Sequence, residues 1–252
     1  TVQGGSGRHV HLVQFALMDL GYAFPNSTGN SGYSPDGVFG NETKQRLLDF
    51  QDRERIPKTG KIDRDTMAKL DSLLSGYTHR VRLHFRSLAL TPYSFSRALE
   101  DAQIVYGQYG IEIVFAHGIS LGLSDAEAER FAKVDQACNW DLTDGEYNEL
   151  HGMGPNVPNS DIAVYYVNEL LGAGGCGGHA PNRPACTVAA QTTRWATAHE
   201  VGHVLLTSTF VPVHAPDRRN IMMEDVLHFS TTPVLTNQQV ARIKASPCCH
   251  AI

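Results

Sequence analysis

Two histidines four residues apart, with a glutamate directly after the first, constrain this chain more than any other feature: His199-Glu200-Val201-Gly202-His203. Positions four apart on an α-helix share one face about a turn from each other, so both imidazoles can reach a single cation. The segment must therefore be helical, and a separate part of the chain must supply a further ligand. Zinc accepts imidazole nitrogen, and a site that acts on water needs three protein ligands and one open position. Glu200, rotated around the helix from the histidines, can approach that position as a general base without coordinating. We assign His199 and His203 as metal ligands, Glu200 as the catalytic base and Zn2+ as the cofactor.

Downstream stand His214 and then Asn220-Ile221-Met222-Met223. A third histidine followed by a methionine-containing turn, in that order after HExxH, resembles the metzincins, zinc peptidases with the pattern HExxHxxGxxH and a methionine beneath the metal. The resemblance implies that His214 is the third ligand and that Met222 is the turn methionine. This chain departs from the pattern in two places. Ten residues separate His203 from His214, and Leu206 stands where the helix-ending glycine would be. Residues 208–213 then read as an inserted loop that returns His214 to the metal. The alternative is a carboxylate ligand, Glu224 or Asp217, as in a thermolysin-like arrangement. Glu224, two beyond Met222, occupies the place where some metzincins carry a metal-binding tyrosine, so that fifth ligand is absent.

The composition changes near residue 76. Up to Gly76 nine basic and nine acidic residues cancel, and the rest of the chain carries the whole net charge of −5 and all five cysteines. In the first part Val10, Val13, Leu17 and Leu20 recur at helical spacing and stop at Gly21. Asn41 reads as the cap of a second helix carrying Thr43, Leu47, Leu48 and Phe50, and Asp63 as the cap of a third carrying Met67, Leu70 and Leu74. The strings LVQFALMDLG (12–21), DGVFG (36–40) with Thr43, Phe50-Gln51, and GKID (60–63) with Thr66 resemble the peptidoglycan-binding domain of bacterial cell-wall enzymes. That resemblance implies a partner, bacterial cell-wall peptidoglycan, held through residues 1–76. The same three-helix fold is the propeptide of matrix metalloproteinases, where a following cysteine blocks the zinc. No cysteine occurs before Cys138, so a cysteine switch is disfavoured and a targeting role preferred over steric inhibition.

Beyond residue 76, Val81, Leu83 and Phe85 alternate with Arg82, His84 and Arg86 over a strand spanning 80–90, with His84 on the solvated face. A helix capped by Ser94 or Ser96 leads to strands at 111–115, 161–167 and 185–191, the last preceded by a glycine-rich loop at 172–178. Trp195 and Leu205 read as core, and His117, His151, His179 and His228 as solvated or internally satisfied. The expected class is α+β: a small three-helix N-terminal domain over 1–76, then a metzincin-like zincin domain over 77–252 with a mixed twisted sheet and an active-site helix.

With 42% hydrophobic and 19% charged residues the chain is globular. Its weak negative charge argues against a nucleic-acid role, and no apolar run is long enough to span a bilayer. Cys176 and Cys186 flank a loop and could staple it, and Cys138 could pair with Cys248 or Cys249, which favours an oxidising, secreted or extracellular location. Cys248-Cys249-His250 reads as disulfide or free thiols in preference to a metal tail. The expected activity is zinc-dependent endopeptidase cleavage of proteins or peptides, with substrate paired along an edge strand near 186–191. Alternatives are hydrolysis of the peptide stems of peptidoglycan, or a non-catalytic wall-binding protein with a relic metal site. An unligated base beside the histidines argues against the last.

Overall fold

Helical spacing of apolar residues builds the first unit. The computed structural model describes residues 4–29, 34–88, 94–192, 194–224 and 231–252, and the chain divides into one unit of Thr1–Thr78 with Ile252 and a second of His79–Ala251. In the first, α1 (Arg8–Asp19), a one-turn α2 (Pro25–Thr28), α3 (Asn41–Arg53) and α4 (Arg64–Ser75) enclose a core of Val10, Val13, Leu17, Phe24, Phe39, Leu47, Phe50 and Leu70. The stripe on α4 differs from the expectation: Met67 and Leu74 are exposed, while Thr66 and Leu70 are buried. Thr66 is drawn inward by hydrogen bonds from Gln51 Nε2 and to Asp63 Oδ1, which turns the helix by about one position. Asp63 caps α4 as expected, accepting from Thr66 N at 3.0 Å. Asn41 is not a cap; the cap position is the extended Gly40, and Asn41 is the first helical residue.

A repeated device fixes the two turns of this unit. Gln14 Oε1 accepts from Gly37 N (2.9 Å), while its Nε2 donates to Val38 O and to Thr43 Oγ1. Gln51 Oε1 accepts from Gly60 N (2.8 Å), while its Nε2 donates to Lys61 O and to Thr66 Oγ1. In both, a buried amide reads a glycine, the next residue and the threonine six further on. Gly37 and Gly60 have φ of 68° and 59°, the left-handed region that glycine enters without Cβ strain.

The second unit contains β1 (His79–Ser87), α5 (Phe95–Gly107), β2 (Ile111–Ser120), α6 (Asp125–Arg130), β3 (Lys133–Val134), α7 (Gly145–His151), β4 (Ile162–Val167), β5 (Glu169–Leu170), β6 (Gly175–Cys176), β7 (Ala185–Ala189), α8 (Ala196–Leu206), α9 (Asn237–Lys244) and β8 (His250–Ala251). The main sheet runs β2-β1-β4-β7-β6, with β8 antiparallel on β1 and a separate β3–β5 pair. Its first four strands are parallel, and β6 is antiparallel to β7. No helix among the described residues is long and apolar enough to cross a membrane. The expected order of a helical unit, then a mixed sheet with a site helix, is the one observed.

On one sheet face Val81, Leu83, Phe85, Ile113, Val164 and Val188 pack against α5 and α8, with Trp195 and Leu205 in the same core as expected. The other face carries Tyr165, Ala163 and Ala185 against Tyr147 and Leu150 of α7. Every residue of β4 is buried, as a strand covered on both faces requires. Ser94 caps α5, accepting from Arg97 N.

Three expectations are corrected here. His84 is not solvated: its ring is only 12% exposed and lies 2.8 Å from Asp161, which Arg82 also contacts. The strand at 185–189 is not an edge, because β6 pairs to its free side, Gly175 opposite Val188 and Cys176 opposite Thr187. The proposed disulfides do not form; Cys138 bonds to Cys176, and Cys186, Cys248 and Cys249 are buried thiols. Cys176 belongs to one sheet-face core and Cys186 to the other, so the sheet itself keeps those two sulfurs apart. Residues 89–90 of the predicted first strand, and His228, lie outside the described residues.

Candidate metal centre and cleft

Every residue of α8 is buried, so the chemistry of its sequence is held by packing. Tyr106 of α5 donates its hydroxyl to Ala198 O at 2.7 Å, and the Tyr166 and Thr197 hydroxyls meet at 2.6 Å. Gly202 faces Met222 so closely that a Cβ there would overlap the Met222 sulfur. The residue between Val201 and His203 must therefore be glycine for the helix to sit on the methionine.

His199 donates Nδ1–H to Ile221 O at 2.7 Å, which leaves the Nε2 lone pair free and fixes the ring. His203 Nε2 lies 2.9 Å from that Nε2. His214 completes the group, its ring 5.5 Å from that of His199 and 5.0 Å from that of His203. Ligand atoms of the three lie within 4.8 Å of one another, and among the described residues they form the metal-capable cluster. Neither alternative carboxylate joins them. Asp217 is turned to the backbone N–H of Arg219, and Glu224 stands exposed on the cleft rim. Three imidazoles whose nitrogens converge, one of them oriented by the Ile221 carbonyl, form a donor set that fits a zinc ion.

The surroundings act on charge as a metal site requires. Burial holds His199 down to about 4, against the Ile221 hydrogen bond and helped by His214, and holds His203 down to about 2, helped by His199 and His214, so both stay neutral and able to ligate at neutral pH. Burial pushes Glu200 up to about 8; a divalent cation beside it acts in the opposite direction. Glu200, the three histidines and Trp140 line a cleft of about 430 Å3 with residues 172–178.

The turn after the histidines is pinned from α9. Asn220 and Gln239 exchange amide hydrogen bonds of 2.8 and 3.1 Å, Asn220 Oδ1 also accepts from Met222 N, and Ala215 N donates to Met222 O. Met222 is fully buried. The helix ends at Leu206 without the expected glycine, and Thr207 takes φ 65° and ψ 169°. Such a conformation costs a β-branched residue roughly 1–3 kcal/mol. Arg242 of α9 offsets it with hydrogen bonds to Leu206 O, Thr207 Oγ1 and Thr209 Oγ1.

Sequence reasoning missed one wall of this cleft. The glycine-rich stretch read as a loop contains β6, and its glycines lie flat on α8: a Cβ at Gly175 would overlap the Glu200 carboxylate, and one at Gly177 the Cβ of His203. Trp140 sits edge-on to the His203 ring at 5.8 Å. The run of glycines was the available signal, because such a run permits close approach as readily as flexibility. Of the other histidines, His179 meets Ala180 O and His117 meets Arg86, whereas His151 reaches Thr187 Oγ1 at 2.9 Å through Nε2 and has no partner for its buried Nδ1, so it is not, as expected, fully satisfied.

Comparison with known proteins adds to this geometry. Residues 6–70 match the family model described as a putative peptidoglycan binding domain, the family that the first-unit motifs resemble. No curated protein matches the chain. Among solved structures, metalloproteinase-II from Bacteroides fragilis is similar over 67% of this chain and 53% of its own, at 11% identity and a TM-score of 0.45. Archaemetzincin from Methanopyrus kandleri is similar over 66% of this chain and 94% of its own, at 14% identity and a TM-score of 0.37. The chain thus spans about half the length of the Bacteroides protein.

Proposed function

We propose that this chain is a secreted zinc-dependent endopeptidase whose first unit anchors it to bacterial cell-wall peptidoglycan. The observation that carries the reading is the convergence of the His199, His203 and His214 ligand atoms within 4.8 Å on a cleft floor that Glu200 also lines. His199, His203 and His214 would hold the zinc. When bound, zinc supplies the Lewis acidity that activates water and polarises a peptide carbonyl. Glu200 takes a proton from the attacking water and passes it to the leaving amine. Its buried, apolar surroundings suit a base that works near neutral pH.

Substrate would pair backbone to backbone with β6, the sheet's antiparallel edge, in place of the covered strand at 185–189. The match over residues 6–70 supports the anchoring role, and the Cys138–Cys176 disulfide fits an oxidising location. The same match favours a second reading, cleavage of the peptide stems of peptidoglycan by the same chemistry.

One experiment tests both. The purified chain and His203→Ala are assayed for zinc, for cleavage of a peptide library and for release of peptides from isolated wall. The expected result is about one zinc per wild-type chain, library cleavage, and neither in the variant. Release from wall without library cleavage would replace the first reading by the second, and full zinc retention by His203→Ala would overturn the site.

A further inference from the structure

The cleft wall opposite α8 is built from the chain's least constrained residue type. Positions 172–178 read Gly-Ala-Gly-Gly-Cys-Gly-Gly, and glycine loses more conformational freedom on ordering than any other residue. The ladder that holds this ribbon is short: β6 is two residues long, with one further bond from Ala189 N to Gly174 O. Yet the ribbon must stay against α8 to within the thickness of a missing methyl group, at both Glu200 and His203. Something other than its own propensity keeps it there.

The Cys138–Cys176 disulfide, which joins positions 38 apart, anchors the ribbon at its middle. Cys138 belongs to the segment that carries Asn139 and Trp140, and the three line the cleft together with residues 172–178. The two segments also meet at Gly178, which lies on the Asn139 carbonyl so closely that a Cβ would overlap it, and at Leu142 N, which donates to His179 O. Trp140 meets the His203 ring edge-on. The bond therefore ties together two walls of one cleft, the ribbon resting on Glu200 and His203 and the other segment on His203.

We propose that Cys138 and Cys176 are positioning residues for the hydrolytic site: their disulfide clamps the ribbon onto α8, holding β6 as the substrate-pairing edge and the Glu200 carboxylate in its place beneath it. This rests on the peptidase reading above. The clamp acts on the edge and on Glu200, whereas the three histidines are held by α8, Ile221 and the Met222 turn. Opening it therefore loosens substrate and base while leaving the ligands together.

The test compares wild type with Cys138→Ala/Cys176→Ala, measuring zinc per chain, kcat and KM on an extended peptide, and amide hydrogen exchange by segment. The clamp predicts unchanged zinc and a kcat/KM lower by at least about tenfold, with a raised KM as the edge is lost. It also predicts faster exchange confined to 138–142 and 172–178, with α8 still protected. If the double variant does not fold, wild type is reduced after folding with a water-soluble phosphine. That reagent gives two electrons to the disulfide, takes the oxygen of one water to become the phosphine oxide, and leaves two thiols. Cys138, an exposed residue, gives it access.

A kcat/KM within twofold of wild type, unchanged exchange in the ribbon, or exchange rising equally through the sheet and α8 would each overturn the clamp. The last result would make the bond a general staple. Should oxidised wild type hold no zinc and cleave nothing, the peptidase reading fails on its own account, and the exchange pattern still decides whether the bond clamps the ribbon.

Discussion

The two units hold glycine-bearing backbone by opposite means. In the first, Gly37 and Gly60 are gripped by buried amides, Gln14 and Gln51, that lie 23 and 9 residues away in sequence. Those glycines are needed for their positive φ, and the space around them is snug without overlap: a Cβ at Gly60 would meet the end of the Leu48 side chain at 3.3 Å, which need give only a few tenths of an ångström. In the second unit, Gly175 and Gly177 have no positive φ but no room at all, because α8 occupies the place of a side chain. One glycine pair serves the backbone's own conformation and the other serves a neighbour's side chains. The same substitution should therefore injure stability in one unit and chemistry in the other.

The largest expected effect follows directly. Gly177→Ala pushes on the Cβ of His203 and should lower both zinc affinity and kcat/KM by on the order of 100-fold, while Gly60→Ala should leave both unchanged and cost about 1–2 kcal/mol of stability. Zinc titration alongside thermal unfolding reads the two outcomes. Equal effects from both substitutions would erase the distinction.

A somewhat smaller effect tests the amide knots. Gln51→Ala strands Gly60 N and removes one hydrogen bond each from Lys61 O and Thr66 Oγ1, which keep Thr66 Oγ1 and Asp63 Oδ1 as partners, and Gln14→Ala does the same to Gly37 N, Val38 O and Thr43 Oγ1, each at about 2–3 kcal/mol if the buried N–H finds no water. Urea unfolding followed by exchange of the 8–75 amides measures it. A loss below about 0.5 kcal/mol would mean that the knots are decorative.

The knots of the first unit do not titrate, whereas the second buries a histidine with one ring nitrogen unpartnered, His151 Nδ1. Burial holds His151 down to about 3, below its unfolded value near 6.5. The unfolded state therefore binds the proton first. Stability is intact above pH 6.5 and declines as pH falls from there toward 3, by about 2 kcal/mol at pH 5. His151→Gln should flatten that slope relative to wild type; identical slopes would remove His151 as the cause.

This contrast also explains what could be read in advance. The helices of the first unit follow from apolar spacing, and β1 from strict alternation of Val81, Leu83 and Phe85, since each pattern reports one buried face. The metal-site helix was legible because His199 and His203 four apart are useful on a helix alone. The Gln14 and Gln51 knots were hidden inside those helices, since a buried amide looks like any polar residue until its partners are known. The ribbon was illegible for a different reason. Strand propensity reflects side chains that fit a pleated surface, and β6 has almost none. The disulfide was misassigned on loop length, because nothing in spacing tells that Cys186 and Cys176 belong to opposite faces of the sheet. Arg86 shows the limit of alternation: placed with the polar residues of β1, it is 1% exposed.

The proposed role of Glu200, a base beside a metal that it does not bind, stands or falls with the zinc content and turnover of Glu200→Ala measured on one preparation. The expected result is about one zinc per chain, as in wild type, with kcat reduced on the order of 1000-fold. Turnover within a fewfold of wild type, or loss of zinc with the glutamate, would contradict it.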